Sequence, residues 1–337
     1  MVQMFLFGCF AISFFITLLI TPNWIRRAKH AGLVGRDMHK VSERYAAEMG
    51  GVPVLIGFII GVLTFVAINT FYLNAPDKNL QILALLSTIL ISAIIGLVDD
   101  ILGWKIGLRQ WQKPLLTLFA ALPMMVVNAG YSQMTLPVIG IIDLTYLYPL
   151  IIIPIAIAGA SNGFNMVGGY NGLEAGMGSI ILSTLGLLAW YGGRGWLAVI
   201  AFCMVSSLLA FYLFNKYPAR IFPGNTLSYM VGALIACVAI AGNSEKAALV
   251  LFIPYLLQLP LKLRGLLQKE SFAKVQPDGT LIEPYEKWYG IEHITISFLR
   301  WLKGSAYEKE VTHVLMLVEL FLSVIVIMIV IYKIGIF

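Results

Sequence analysis

The chain has 337 residues, 59% of them hydrophobic and 12% charged, with a mean hydropathy of +0.87 and a formal net charge of +6. So apolar a composition excludes a soluble domain of ordinary make-up, and at about 20 residues per spanning helix it suffices for about ten spans in one membrane domain covering 1–337. Cys9, Cys203 and Cys237 each stand alone in an apolar run, and the four histidines have no ligand spacing, which argues against disulfides and against a thiolate or imidazole metal site.

The expectation is an all-α polytopic membrane protein. Apolar runs at 2–24, 51–73, 80–98, 112–128, 146–160, 177–192, 196–214, 226–242, 247–262 and 311–335 read as ten spans. The first is too long for a signal-peptide core and reads as a retained span. If successive loops alternate sides, one face carries every lysine and arginine except Lys78, Arg194, Lys246 and Lys333. The positive-inside rule makes that face cytosolic and places both termini outside. No stretch interleaves aromatics with regularly spaced Arg or Lys, so the expected partners are the lipid bilayer and an anionic substrate, with no nucleic acid.

The short loops on the basic face also hold acidic and amide groups. The first contains Gly35-Arg36-Asp37-Met38-His39-Lys40 and then Glu48; by itself this is equally a solvated basic loop. Asp99 and Asp100 follow the third apolar run directly. Paired anions beside lipid are costly unless a cation or a phosphate chemistry offsets them. Lys105, Arg109 and Lys113 follow, with Lys113 opening the next span at the same depth. Carboxylates facing a lysine at a membrane surface fit phosphoryl transfer with Mg²⁺ better than a proton relay.

From Asn162 to Gly178 three asparagines and six glycines accumulate with almost no charge. Such a stretch lets backbone approach a phosphate, base or sugar and offers neutral donors and acceptors, although a Gly-rich connector between helices reads the same way. The turn Pro223-Gly224-Asn225-Thr226 puts Asn225 at the start of a span, where backbone N–H groups favour anions or where Asn225 is simply an N-cap. Segment 263–310 is the longest on this face. Pro277-Asp278-Gly279 between alternating runs predicts a small β-hairpin. Ile291, Ile294, Phe298, Leu299 and Leu302 at helical spacing predict an amphipathic helix, lying in the interface or packed on the spans.

Taken together, Asp99-Asp100 after a span, Asn162-x-x-Asn165-x-x-x-Gly169-x-Asn171-Gly-Leu-Glu174, and Gly-x-Asp37-x-x-Lys40 resemble the polyprenyl-phosphate N-acetylhexosamine-1-phosphate transferases over nearly the whole chain. The wording Asn-Gly-Leu-Glu-Ala-Gly and the hairpin insert are most similar to the eukaryotic and archaeal dolichyl-phosphate N-acetylglucosaminephosphotransferase branch. The resemblance implies transfer of N-acetylglucosamine-1-phosphate from a UDP-N-acetylhexosamine to a polyprenyl or dolichyl phosphate, releasing UMP, with Mg²⁺, or Mn²⁺ in its place, on the pyrophosphate. It implies Asn165 and Asn225 as metal ligands. Arg36, Asp37, Met38, Lys40, Glu48, Gly169, Asn171 and Glu174 would line the nucleotide-sugar pocket, with Asn171 on the uracil. Lys113, Asn162, Gly163 and Phe164 would meet the lipid phosphate, and Asp99 and Asp100 would orient or deprotonate it. A homodimer is implied by analogy.

Two departures from the family pattern stand out. Relatives place an aspartate where this chain has Asn225, which keeps an oxygen ligand and removes a negative charge. Where relatives carry a basic or His-rich cluster near the hairpin, this chain reads Gln268-Lys269-Glu270-Ser271-Phe272-Ala273-Lys274, which leaves the sugar open, N-acetylglucosamine being the default. The competing readings are a bacterial-type undecaprenyl-phosphate transferase using another UDP-sugar, an inactive scaffold, and a polytopic transporter. Nearly uncharged spans, Glu319 being the main exception, argue against a conduit. Short outer loops without an Asn-x-Ser/Thr acceptor favour a prokaryotic, archaeal plasma membrane over the endoplasmic reticulum.

Overall fold

A backbone in lipid has to satisfy its own hydrogen bonds, so apolar runs of this length fold as helices. The computed structural model describes residues 2–136 and 140–332. Its helices are α1 (Val2–His30), α2 (Gly51–Phe71), α3 (Asn79–Ile106), α4 (Gln112–Ala120), α5 (Leu122–Val126), α6 (Ile153–Met166), α7 (Leu173–Tyr191), α8 (Gly195–Asn215), α9 (Gly224–Ala241), α10 (Glu245–Leu251), α11 (Ile253–Arg264), α12 (Ile291–Lys303) and α13 (Glu308–Ile331). Among the described residues eight helical stretches are long and apolar enough to cross a membrane: α1, α2, α3, α6 together with the helical turn Tyr148–Ile152 before it, α7, α8, α9 and α13.

The expected count of ten is not reached. Run 247–262 is two helices, α10 and α11, bent by 59°, because Pro254 in the first turn of α11 supplies no N–H to continue the ladder from α10. Counted as one span, the pair makes a ninth. Run 112–128 is likewise divided, with Pro123 opening α5 after α4, and neither piece is long enough to span. The last expected span, 311–335, coincides with α13 as far as Ile331; positions 333–335 lie outside the described residues.

Helix α9 is the axis of the fold, with 83% of its most apolar window buried against 22% for α1 and α13. It packs against α2, α3, α6, α7, α8 and α10. Two glycines set its distance from its neighbours. A Cβ on Gly96 of α3 would lie 2.4 Å from the Asn225 carbonyl oxygen, and one on Gly232 of α9 would lie 2.4 Å from the Ala160 carbonyl oxygen of α6. Three helices therefore meet backbone to backbone, the close approach that small residues permit between membrane helices. All three cysteines are free and buried.

Among the described residues three two-stranded antiparallel sheets interrupt the helices. Strands β1 (Val34–Arg36) and β2 (Tyr45–Ala47) form the first loop. Ala47 also bridges in parallel to Ile221, with the Phe222 N–H donating to the Ala47 carbonyl at 2.7 Å. That pairing ties the first loop to the turn that opens α9. Strands β3 (Gln133–Leu136) and β4 (Gly140–Asp143) were not expected from sequence. Strands β5 (Lys274–Val275) and β6 (Leu281–Ile282) are the expected hairpin. Helix α12 forms as expected, but its buried face differs from the expected one: of Ile291, Ile294, Phe298, Leu299 and Leu302, Ile294, Phe298 and Leu302 are exposed. Its Ile291, Ile296 and Leu299 are buried, whereas Trp301 is exposed.

Overpacking a filled helix contact costs about 1–3 kcal/mol. Gly232→Val is therefore expected to lower the melting temperature of the detergent-solubilised protein, while Gly159→Ala, whose added carbon meets nothing within 4 Å, leaves it unchanged or slightly higher.

Candidate active site

The candidate site forms where helix ends converge on α9. The first turn of a helix leaves backbone N–H groups unpaired, and here the Asp100 carboxylate collects them. Its Oδ1 accepts the Asn225 N–H at 2.7 Å, and its Oδ2 accepts the Thr226 N–H at 3.0 Å and the Thr226 hydroxyl at 2.7 Å. An acid on α3 thus caps α9, with the charge where the helix dipole favours an anion. Asp99, the next residue, faces two other segments. Its Oδ1 accepts the Leu108 N–H at 2.7 Å, from chain that turns back after the non-helical Gly103. Its Oδ2 accepts the Asn225 amide at 2.9 Å and lies 2.6 Å from the Lys113 ammonium. Asp99 is 4% exposed, so this charge is held by an opposite charge and by hydrogen bonds rather than by water.

Two further groups feel the charge of this centre, and a third braces the helix that carries Lys113. The fully buried Tyr229 hydroxyl, one turn into α9, lies beside the Asn165 side chain and feels both aspartate charges. Burial, and then the charge of Asp100, hold the Glu48 carboxyl above the usual carboxylate range. The Asn162 amide donates to the Thr117 hydroxyl at 2.8 Å and to the Ala158 carbonyl at 2.8 Å, docking α4, which carries Lys113, onto α6.

The glycine-rich stretch is not one loop. Asn162 to Met166 form the last turn of α6, and α7 already begins at Leu173, because packing of Gly176 against Met316 and Gly178 against Val231 outweighs the low helix propensity of glycine. Glu174 therefore sits in the first turn of α7, where its Oε1 accepts the Gly169 N–H at 3.2 Å. Gly169 has φ +85°, and its Cα faces the ring of Phe272 from the hairpin segment.

Asp37, Lys40 and Asn171, read separately from two loops, meet in one cluster. The Asn171 amide nitrogen donates to Asp37 Oδ2 at 3.1 Å, and Lys40 donates to Asp37 Oδ1 at 3.2 Å. His39, which sequence reasoning passed over, stacks on Tyr170 with ring centroids 4.2 Å apart and accepts the Ala273 N–H at 3.1 Å on Nε2. Gln258 of α11 fastens the insert from beneath. Its Nε2 donates to the Met166 carbonyl at 2.9 Å and to both Glu292 oxygens, and its Oε1 accepts the Ile291 N–H at 2.7 Å.

Some expected positions lie elsewhere. Phe164 is fully buried and stacked on Tyr255, centroids 5.3 Å apart, so the aromatic core withdraws it from contact with a lipid phosphate. Gly163 lies beside the ring of Phe252. Arg36 is exposed and paired with Glu43 at 3.7 Å, outside the buried cluster, and Met38 is 38% exposed.

Comparison with known proteins fits this arrangement. The glycosyl transferase family 4 profile matches residues 82–243, the stretch holding Asp99, Asp100, Lys113, Asn165, Asn171 and Asn225. A Saccharolobus solfataricus protein provisionally named UDP-N-acetylglucosamine–dolichyl-phosphate N-acetylglucosaminephosphotransferase is 38% identical over 86% of this chain and 87% of its own length. A Sulfolobus acidocaldarius protein of the same provisional name is 32% identical over 80% and 81%. The phospho-N-acetylmuramoyl-pentapeptide-transferase of Streptococcus mutans is 30% identical over 73% and 75%.

A hydrogen bond to a charged group contributes about 1.5–3 kcal/mol. Asp100→Asn turns an acceptor-only cap into an amide with one acceptor atom, and it is expected to cost at least one such bond, read as a lower melting temperature. Thr226→Val, which leaves both backbone N–H donors in place, is expected to cost less.

Proposed function

This chain belongs to glycosyl transferase family 4 and is a multi-pass membrane glycosyl-1-phosphate transferase, and on that premise we propose that it transfers N-acetylglucosamine-1-phosphate from UDP-N-acetylglucosamine to a dolichyl-type polyprenyl phosphate. UMP leaves and a lipid-linked N-acetylglucosamine pyrophosphate is formed. The names of the archaeal relatives support the substrate pair. The observation that carries the reading is the convergence of Asp99 and Asp100 from α3, Lys113 from α4 and Asn225 from α9, linked in one chain of contacts in which Lys113 and the Asn225 amide meet Asp99 and the Asn225 N–H meets Asp100.

In the proposed reaction an oxygen of the lipid phosphate attacks the sugar-bearing phosphorus in line. The bond from that phosphorus to the bridging oxygen breaks, and its electron pair leaves on UMP. A phosphate monoester is largely ionised at neutral pH, so positioning and charge neutralisation are asked to supply most of the rate. Lys113 is placed to hold the lipid phosphate and to offset the negative charge gathered at the reacting atoms. Asp100 accepts three hydrogen bonds from α9 and Asp99 is held by Lys113, Asn225 and Leu108, which supports a positioning role for both over attack on phosphorus. Asp37, Lys40, Asn171 and Glu48 would hold the nucleotide-sugar on the adjoining side.

The donor set suits a hard divalent cation. Asp99 and Asp100 provide carboxylates and Asn165 and Asn225 amide oxygens, the oxygen chemistry that Mg²⁺ prefers, with the buried Tyr229 hydroxyl beside Asn165. Bound there, Mg²⁺ would neutralise the pyrophosphate. Because the Asn225 amide nitrogen is spent on Asp99, its carbonyl oxygen is the atom left for a cation. By the positive-inside rule the basic loops near the site support a cytosolic face for it, and the archaeal relatives support an archaeal membrane.

The purified protein incubated with UDP-N-acetylglucosamine, a polyprenyl phosphate and Mg²⁺ is expected to release UMP in step with a lipid-linked sugar, and to stop on chelation. Absence of UMP, or a phospho-enzyme trapped on Asp99 or Asp100, would overturn the proposal. Asn225→Asp exchanges the hydrogen bond to Asp99 for a third carboxylate that a cation must neutralise. It is expected to lower the Mg²⁺ concentration giving half-maximal turnover, and no change would mean that the position is not a charge-requiring ligand.

A further inference from the structure

Glu308, the first residue of α13, is 3% exposed and lies in the chain 137 residues from Asn171 and 268 from Lys40. Its two oxygens nevertheless join those residues. Oε1 accepts the Asn171 N–H at 2.9 Å and faces His39 Nδ1 at 3.7 Å, while Oε2 forms an ion pair with Lys40. His39 accepts on Nε2, so the proton of the neutral ring sits on Nδ1, toward Glu308. Lys40 continues to Asp37, and Asp37 accepts the Asn171 amide. The result is a closed ring, Glu308–Lys40–Asp37–Asn171, reinforced one turn along α13 by the Thr312 hydroxyl donating to the Asn171 carbonyl at 3.4 Å.

Two buried carboxylates share one ammonium in this ring. Burying ions is expensive, and well-packed apolar residues often serve stability as well, so what the ring supplies is geometry. A carboxylate can only accept, so Asp37 forces the Asn171 amide to present its nitrogen inward and turns its carbonyl oxygen away. Glu308 fixes the backbone of the same residue, and through Lys40 it fixes the first loop. Both loops are thus held in one arrangement before any ligand arrives, which reduces the ordering cost of binding.

We propose that Glu308 is a positioning residue for the donor substrate, clamping the Asp37–Lys40 loop to Asn171 so that the UDP-sugar meets a preformed pocket. This rests on the reading of those two loops as the nucleotide-sugar side of the site. Loss of the clamp should weaken donor binding and leave acceptor binding and the chemical step at saturation almost untouched.

The test is steady-state kinetics on the purified full chain, varying UDP-N-acetylglucosamine and polyprenyl phosphate separately, for the wild type, Glu308→Gln, Thr312→Val and Glu310→Gln, each with a melting temperature. Glu308→Gln is expected to raise the donor KM by about tenfold with acceptor KM and kcat within about threefold, the pattern of lost ground-state binding. Thr312→Val, which removes one hydroxyl, is expected to raise the donor KM by about twofold to threefold. Glu310→Gln, a half-buried neighbour off the ring, loses its ion pair with Lys303 but keeps an amide oxygen for the Tyr307 N–H that caps α13, and should match the wild type. An unchanged donor KM in both ring variants overturns the inference, as does a parallel rise of both KM values with a lower melting temperature, which marks a purely structural role. Should Glu308→Gln fail to fold, the donor KM of Thr312→Val decides alone. A wild type that releases no UMP fails the functional reading first, and this inference with it.

Discussion

The capture of the α9 N-terminus by Asp100 is the contact on which the site depends. One carboxylate accepts three hydrogen bonds from the first turn of the most buried span, and in doing so fixes where α3 ends against α9. Asp99 is then directed to Lys113 and Asn225 without freedom to turn elsewhere. The backbone contact that Gly96 allows between α3 and Asn225 makes the arrangement possible. A larger residue at that position would separate the acid from the N–H groups it caps.

The polar groups are placed as the membrane demands. Charges inside lipid are costly, so the aspartates, lysines and asparagines gather at helix ends, where unpaired backbone donors and short hairpins are available to hold them. The parallel bridge between Ala47 and Ile221, the Gln258 hydrogen bonds under Met166 and the stack of His39 on Tyr170 draw separate loops onto one surface. Each brace spans a long stretch of sequence, and none is a covalent link.

That distance explains what could be read from the sequence. Asp99, Asp100 and Lys113 were legible because charge next to a long apolar run is anomalous, and Asn225 because it starts a span after a Pro-Gly turn. The hairpin was legible from Pro277-Asp278-Gly279, a local turn. Glu308 and Thr226 were not, since an acid or hydroxyl in the first turn of a helix is ordinary and their partners lie 268 and 126 residues away. His39 gave no signal because its partners, Tyr170, Ala273 and Glu308, all lie more than a hundred residues away. The start of α7 at Leu173 was hidden by glycines that read as a loop but pack as helix, and the interrupted spans were hidden by hydropathy averages that pass over Pro123 and Pro254.

The three cysteines bear on how such a chain can be studied. Cys9, Cys203 and Cys237 are each fully buried among apolar helices, so the native thiols are shielded from water-soluble maleimides. The natural sequence is therefore a quiet background for labelling. A thiol introduced at a surface position such as Lys78 or Arg220 would carry the whole signal, and its reaction from one side of a sealed vesicle would report the leaflet to which each loop belongs.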